Sequence, residues 1–187
     1  MARILIPVAA FVIALPLAAS AFKEGPYPNV TGGFGEQTCH LCHLDNPINA
    51  PGGAVTLEGI PPAFTPGQTY AITVTIGRQG LRRGGFEIAA RFASGKQKGR
   101  QAGSWQLLDT RAQLIPGAVD TALTFVQHNQ IGSRAPTPGA NSWTIEWTAP
   151  AAAGPVQFNV AANASNNDDS PLGDYIYLKT VRTSPQR

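Results

Sequence analysis

The sequence predicts an all-β protein, an antiparallel β-sandwich that carries an irregular segment at its N-terminal end. Three observations predict it. Apolar and polar residues alternate with period 2 in many short runs. The 20 Gly and 16 Pro are scattered between those runs, as closely spaced turns require. No stretch shows the 3.6-residue apolar repeat that an amphipathic helix of about ten residues would need.

Residues 1–21 read as a leader and not as part of the sandwich. Arg3 supplies a short positive start, 4–18 are almost wholly apolar, and Ala19-Ser20-Ala21 has the small-x-small form of a signal-peptidase site. The apolar run of about 15 residues is short of the roughly 20 that span a bilayer. Cleavage after Ala21 is expected, with an exported, periplasmic product and no membrane span after cleavage. The remaining chain of about 166 residues suits a single domain.

Within that domain, 22–53 is rich in Gly, Pro and Asn and has no sustained period, so it reads as an ordered arm. The sandwich is expected over 54–187. Tyr70, Ile72, Val74 and Ile76 share one strand face, with Ala71, Thr73 and Thr75 on the other. Similar alternation recurs at Phe86, Ile88, Ala90 and Phe92, at Leu123 and Phe125, at Trp143, Ile145 and Trp147, and at Val156, Phe158 and Val160. Shorter candidates are 55–57, 104–108 and 175–179. Pro66-Gly67, Gly84-Gly85, Pro116-Gly117, Pro138-Gly139 and Gly154-Pro155 read as the turns between them, giving about seven or eight strands.

The arm carries Cys39-His40-Leu41-Cys42-His43, which has the form of a covalent c-type haem attachment site. Two thiols separated by two residues reach the two vinyl groups on one edge of the porphyrin. The histidine that follows supplies an iron ligand. Both cysteines of the chain lie here, which excludes a disulfide framework. A redox dithiol would sit in a strand–helix context that is absent. A zinc site would have to crowd four ligands into five residues, whereas structural zinc sites draw pairs from separated segments. One covalent haem c is the expected cofactor, with Cys39 and Cys42 as thioether donors and His43 as the proximal ligand.

Counting narrows the sixth iron position. Met1 is the only methionine and leaves with the leader, so His/Met ligation is excluded from the mature chain. The candidates are His40, His128 or an open position taken by water. His40 is tethered on the same side as His43, which leaves His128, near the end of a strand, or water. Bis-histidine ligation through His128 is the preferred expectation. Phe34, Phe64, Trp105, Trp143 and Trp147 are candidate haem walls, although the alternation of Trp143 and Trp147 favours a place in the sandwich core.

The formal charge of +3 is spread over the chain with no basic run longer than Arg82-Arg83, so no nucleic-acid partner is expected. Asn163, Asn166, Asn167, Asp168, Asp169 and Asp174 form an acidic, Asn-rich stretch without the regular spacing of a calcium loop, and a solvated hairpin loop is the preferred reading. Asn29-Val30-Thr31 and Asn163-Ala164-Ser165 match the glycosylation sequon, a pattern too short to carry a function here.

The order of several short stretches resembles bacterial Reeler-like domains, also called choice-of-anchor V domains, some of which carry a haem-attachment motif near the N-terminus. The stretches are Thr31-Gly32-Gly33-Phe34-Gly35 leading into the motif, Pro66-Gly67-Gln68-Thr69-Tyr70, Gly85-Phe86-Glu87-Ile88, Val126-Gln127-His128, Trp147-Thr148-Ala149-Pro150, Asn163-Ala164-Ser165-Asn166 and Gly173-Asp174-Tyr175-Ile176-Tyr177. The resemblance implies an immunoglobulin-like sandwich and pairs the histidine at position 128 with the motif. It departs at the polar stretch 180–187, where relatives often continue into an anchor, so anchoring through this end is not expected. The expected function is that of an exported monohaem electron carrier, not an enzyme, that exchanges electrons with redox partner proteins. A haem enzyme or sensor with an open iron site, and a binding module with structural haem, stand as alternatives.

Overall fold

In the computed structural model, residues 22–186 are described, so the expected leader lies outside the described residues. Ten strands form two packed sheets: β1 (Gly53–Glu58), β2 (Ala63–Phe64), β3 (Thr69–Arg78), β4 (Arg83–Phe92), β5 (Ser104–Leu107), β6 (Ala112–Pro116), β7 (Thr124–His128), β8 (Ala140–Thr148), β9 (Val156–Ser165) and β10 (Tyr175–Pro185). One sheet has the order β1-β3-β8-β5 and the other β2-β10-β9-β4-β7-β6. The pairing is antiparallel except between β2 and the end of β10, which run parallel. Helical structure among the described residues is confined to two 3-10 turns, Cys39–Leu41 and Gly95–Gln97, and no helix there is long and apolar enough to cross a membrane.

The alternating residues build the core. Ile72, Val74 and Ile76 of β3 and Trp143, Ile145 and Trp147 of β8 face Phe86, Ile88 and Ala90 of β4 and Phe158, Val160 and Ala162 of β9 in one cluster. Trp147 meets Phe158 edge-on at 4.8 Å between ring centres and donates its indole N–H to the Ala102 carbonyl at 2.9 Å. Trp143 donates likewise to the Gly132 carbonyl at 3.1 Å. Both indoles are thus buried with their one polar atom satisfied, the condition under which a tryptophan stabilises a core.

Strand β4 departs from the half-buried reading. Its outward residues Glu87, Ala89 and Arg91 are buried as well as its inward ones. The arm that precedes β1 lies over this outer face of the six-stranded sheet. Glu87 accepts the Val30 backbone N–H at 2.8 Å. Arg91 pairs with Glu36, which also accepts from Thr31 and, at 2.8 Å, from Asn29. The Arg91 guanidinium lies between the rings of Phe34 and Phe125, about 5 Å from each. Gly84 and Gly85, read as a turn from sequence, are inside β4.

Burial pushes the Glu87 carboxyl up to about 8 and the Glu36 charge adds to the rise, against the Val30 hydrogen bond that lowers it. A pKa raised on folding means that the native state holds this proton more tightly than the unfolded chain. The associated stability is complete below about pH 4.5 and is lost as the pH rises through about 8. In urea titrations, Glu87→Gln is expected to gain on the wild type across that window and to hold a constant lead above it. Parallel stability curves for the two proteins would show Glu87 to be ionised in the folded state.

Candidate functional site

The motif begins where the arm tightens into a 3-10 turn. Thr38 caps it, its hydroxyl accepting the His40 N–H at 3.1 Å, and the Cys42 and His43 N–H groups both donate to the Cys39 carbonyl. A bridge between Thr31 and Thr38 and the bond from Gly32 N–H to the Gln37 carbonyl close the loop behind it. Cys39, Cys42 and His43 line a cleft of about 840 Å³, including its open mouth. Arg83 to Phe86 of β4, Asn163 and Ser165 of β9 and His128 at the end of β7 line it with them. The two histidines that the sequence pairs by elimination and by resemblance line the same cleft.

His43 is held through Nδ1, which lies 3.0 Å from Asp174 Oδ2 and 3.2 Å from the Pro171 carbonyl oxygen. Both partners are acceptors, so the ring proton belongs on Nδ1 and Nε2 keeps its lone pair. Asp174 is 2% exposed and accepts from Asn163 Nδ2 at 2.9 Å and from the Asn166 backbone N–H at 3.3 Å. Asn163 Nδ2 is also 3.4 Å from either nitrogen of the His43 ring. Asp174 and Asn163 therefore belong to the cleft, which corrects the solvated-loop reading for these two residues; Asn166 to Asp169 are exposed as that reading expects.

His128 is reached by a break in the sheet. The β4–β7 ladder stops at Glu87 opposite Gln127. One residue further, the His128 ring sits against the backbone of β4, its Nδ1 3.0 Å from Phe86 N and 3.3 Å from Phe86 O. Accepting from the N–H puts the ring proton on Nε2; donating to the carbonyl leaves Nε2 unprotonated, the form a metal needs, and the Phe22 backbone also bonds the ring. Burial lowers the His128 pKa to about 4, so the imidazole is neutral at ordinary pH, the form that ligates iron. Glycine is required beneath it. A Cβ on Gly85 would come within 2.6 Å of His128 Cε1.

The remaining candidates separate cleanly. His40 does not line this cleft; its Nε2 is 3.0 Å from the Asn46 carbonyl oxygen within the arm. Phe64, Trp105, Trp143 and Trp147 are part of the sandwich core and Phe34 lies against Arg91, so none of the five predicted walls lines the cleft. Phe22, Tyr27, Val30 and Phe86 do. Burial pushes the Cys39 thiol up to about 12, helped by the Glu87 charge, so it stays protonated at neutral pH, unlike an activated dithiol.

Among the described residues no three His, Cys, Asp or Glu side chains converge as a bare metal ion requires. The donor set is instead two thiols, one imidazole with its tautomer fixed by a buried carboxylate and a second, neutral imidazole, all lining an apolar cleft. That set fits a haem with two thioether bonds and two axial nitrogens.

No family model and no curated protein matches the chain. Among solved structures, it is similar to a human F-spondin reeler domain, with 19% identity over 75% of this chain and 93% of that one and a TM-score of 0.48. It is also similar to the Reelin-N domain of F-spondin, at 17% identity over 79% and 97% with a TM-score of 0.49. A cohesin module from a Clostridium perfringens family 33 glycoside hydrolase is similar at 10% identity over 73% and 98%, with a TM-score of 0.48.

Proposed function

We propose that this chain is an exported, periplasmic monohaem c-type cytochrome that carries electrons, with Cys39 and Cys42 as thioether donors, His43 as the proximal ligand and His128 as the distal ligand. The observation that carries the reading is the presence of His128, from the far end of β7, in the cleft lined by Cys39, Cys42 and His43. Haem c supplies a one-electron iron couple when bound.

The chain's own residues do the rest. Asp174 and the Pro171 carbonyl hold the His43 ring with Nε2 unprotonated, and the buried carboxylate makes that nitrogen a stronger donor. Phe86 holds His128 through its backbone, and Gly85 lets the ring lie flat on β4. Two nitrogen ligands on the iron, with no methionine sulfur, would favour the oxidised state and a low potential. Tyr27 and Leu41 line the cleft and are more than half exposed, so the mouth opens on apolar surface where a redox partner protein can approach.

The test is to express the chain with its leader beside a working c-type maturation system, then purify and denature it. Haem is expected to stay with the denatured chain, and the native protein to show a low-spin spectrum in both oxidation states. A chain that carries no haem overturns the reading. Retained haem with a high-spin resting spectrum overturns the bis-histidine electron carrier in favour of an open-site enzyme or sensor.

A further inference from the structure

The cleft has two chemically different ends, and strand β4 measures the distance between them. Arg83, Gly85 and Glu87 are alternate residues of β4 and share the outer face. Glu87 marks the motif end: it binds the backbone of Val30, which lines the cleft, and it lies near enough to Cys39 to raise the thiol pKa when ionised. Gly85 is the floor beneath His128. Arg83 lies four residues from Glu87, about 13 Å along an extended strand. That is about the span of a substituted porphyrin from one edge to the other.

Arg83 lines the cleft, as do Lys23, Ser133 and Ser165. Its Nη1 donates to Ser133 Oγ at 2.6 Å and its Nε to Asn167 Oδ1, so the side chain is oriented by neutral oxygens with Nη2 uncommitted. Among the described residues Arg83 makes no ion pair, whereas Arg91 and Lys23 both do. The nearby carboxylate of Asp169 is exposed and is taken by Lys23 at 2.5 Å. A half-buried guanidinium held in place without a carboxylate is a site for one, because its planar fork matches carboxylate geometry.

We propose that Arg83 binds a haem propionate, which fixes the ring with its thioether edge over Glu87 and its propionate edge at the start of β4. This rests on the haem reading, and supplies what that reading leaves open, the orientation of the ring. In haem the two propionates stand on the edge opposite the two vinyl groups, so the cysteines at one end of the cleft and the free guanidinium at the other are complementary to the two edges.

The test compares Arg83→Gln and Arg83→Lys in the haem-loaded chain by resonance Raman spectroscopy and redox titration. Arg83→Gln is expected to move the propionate-bending band and to lower the midpoint potential, since loss of the cation favours the ferric state. It should leave the low-spin spectrum unchanged, because the Arg83 hydrogen bonds go to Ser133 and Asn167 and to neither histidine. Arg83→Lys is expected to move the band while keeping the potential near the wild-type value, and it carries the test alone if the Gln variant does not fold. An unmoved band in a folded variant overturns the propionate contact. A wild-type chain without covalent haem overturns the underlying function and the contact together, so the two failures are distinguishable.

Discussion

Replacing Cys39 and Cys42 together by serine is expected to leave no haem on the denatured chain while the sandwich still folds. The two thiols are the only cysteines of the protein, so no other side chain can form a thioether in their place. Neither belongs to the hydrophobic core, and Cys42 is exposed. Serine keeps their size to within one atom and can occupy the same 3-10 turn, whose bonds are made by Thr38 and the backbone. The loss of covalent haem should therefore be complete, with thermal unfolding close to that of the haem-free wild type. Each single variant keeps one thioether and should retain haem through denaturation at a reduced yield. Mass spectrometry and absorption of the denatured chain read both outcomes. Covalent haem on the double variant would sink the attachment assignment, and loss of the fold would give the cysteines a structural role, although neither is part of the hydrophobic core.

Eight strands were readable from sequence, most plainly where one face packs on the opposing sheet and the other does not, as Thr73 and Thr75 beside Ile72, Val74 and Ile76 show. Two strands were not readable. β2 is only Ala63-Phe64, too short for any period, and it exists because the end of β10 runs beside it. β6 is an edge strand ending at Pro116, with one buried residue among five. The double burial of β4 was hidden for a different reason. Glu87 and Arg91 read as solvent-facing, and only the arm folding over them, with Glu36 and the Val30 backbone as partners, makes them interior.

The site was legible in proportion to how local it is. Cys39, Cys42 and His43 are a contiguous pattern whose spacing follows from the chemistry of the porphyrin edge. His128 came within reach by elimination, from the absence of methionine beyond Met1. Asp174 and Gly85 had no such signal. An aspartate before a strand and a Gly-Gly pair are ordinary turn chemistry. Their roles depend on the β9–β10 register, which sets Asp174 beside Asn163, and on the end of β7 arriving over Gly85. Both are long-range facts of sheet assembly.

Replacing His128 by alanine is expected to convert the haem-loaded protein from low-spin, six-coordinate iron to a high-spin, five-coordinate or water-bound form. No described side chain stands ready to substitute: His40 is turned to Asn46 within the arm, and the sequence has no methionine beyond Met1. The variant also leaves the buried Phe86 carbonyl without its His128 Nδ1–H donor, a loss of about 1–3 kcal/mol. That lowers the melting temperature but leaves the fold in place, since the sandwich core is untouched. The space vacated over Gly85 has the shape of an imidazole ring, so free imidazole in the buffer should enter it and restore the low-spin spectrum. Restoration separates a lost ligand from a damaged site, because a collapsed cleft would not take the ring back. If His128→Ala keeps its low-spin spectrum without added imidazole, another group occupies the sixth position and the distal assignment falls. The attachment through Cys39, Cys42 and His43 would stand, since it rests on the motif turn and the Asp174 contact and not on the end of β7.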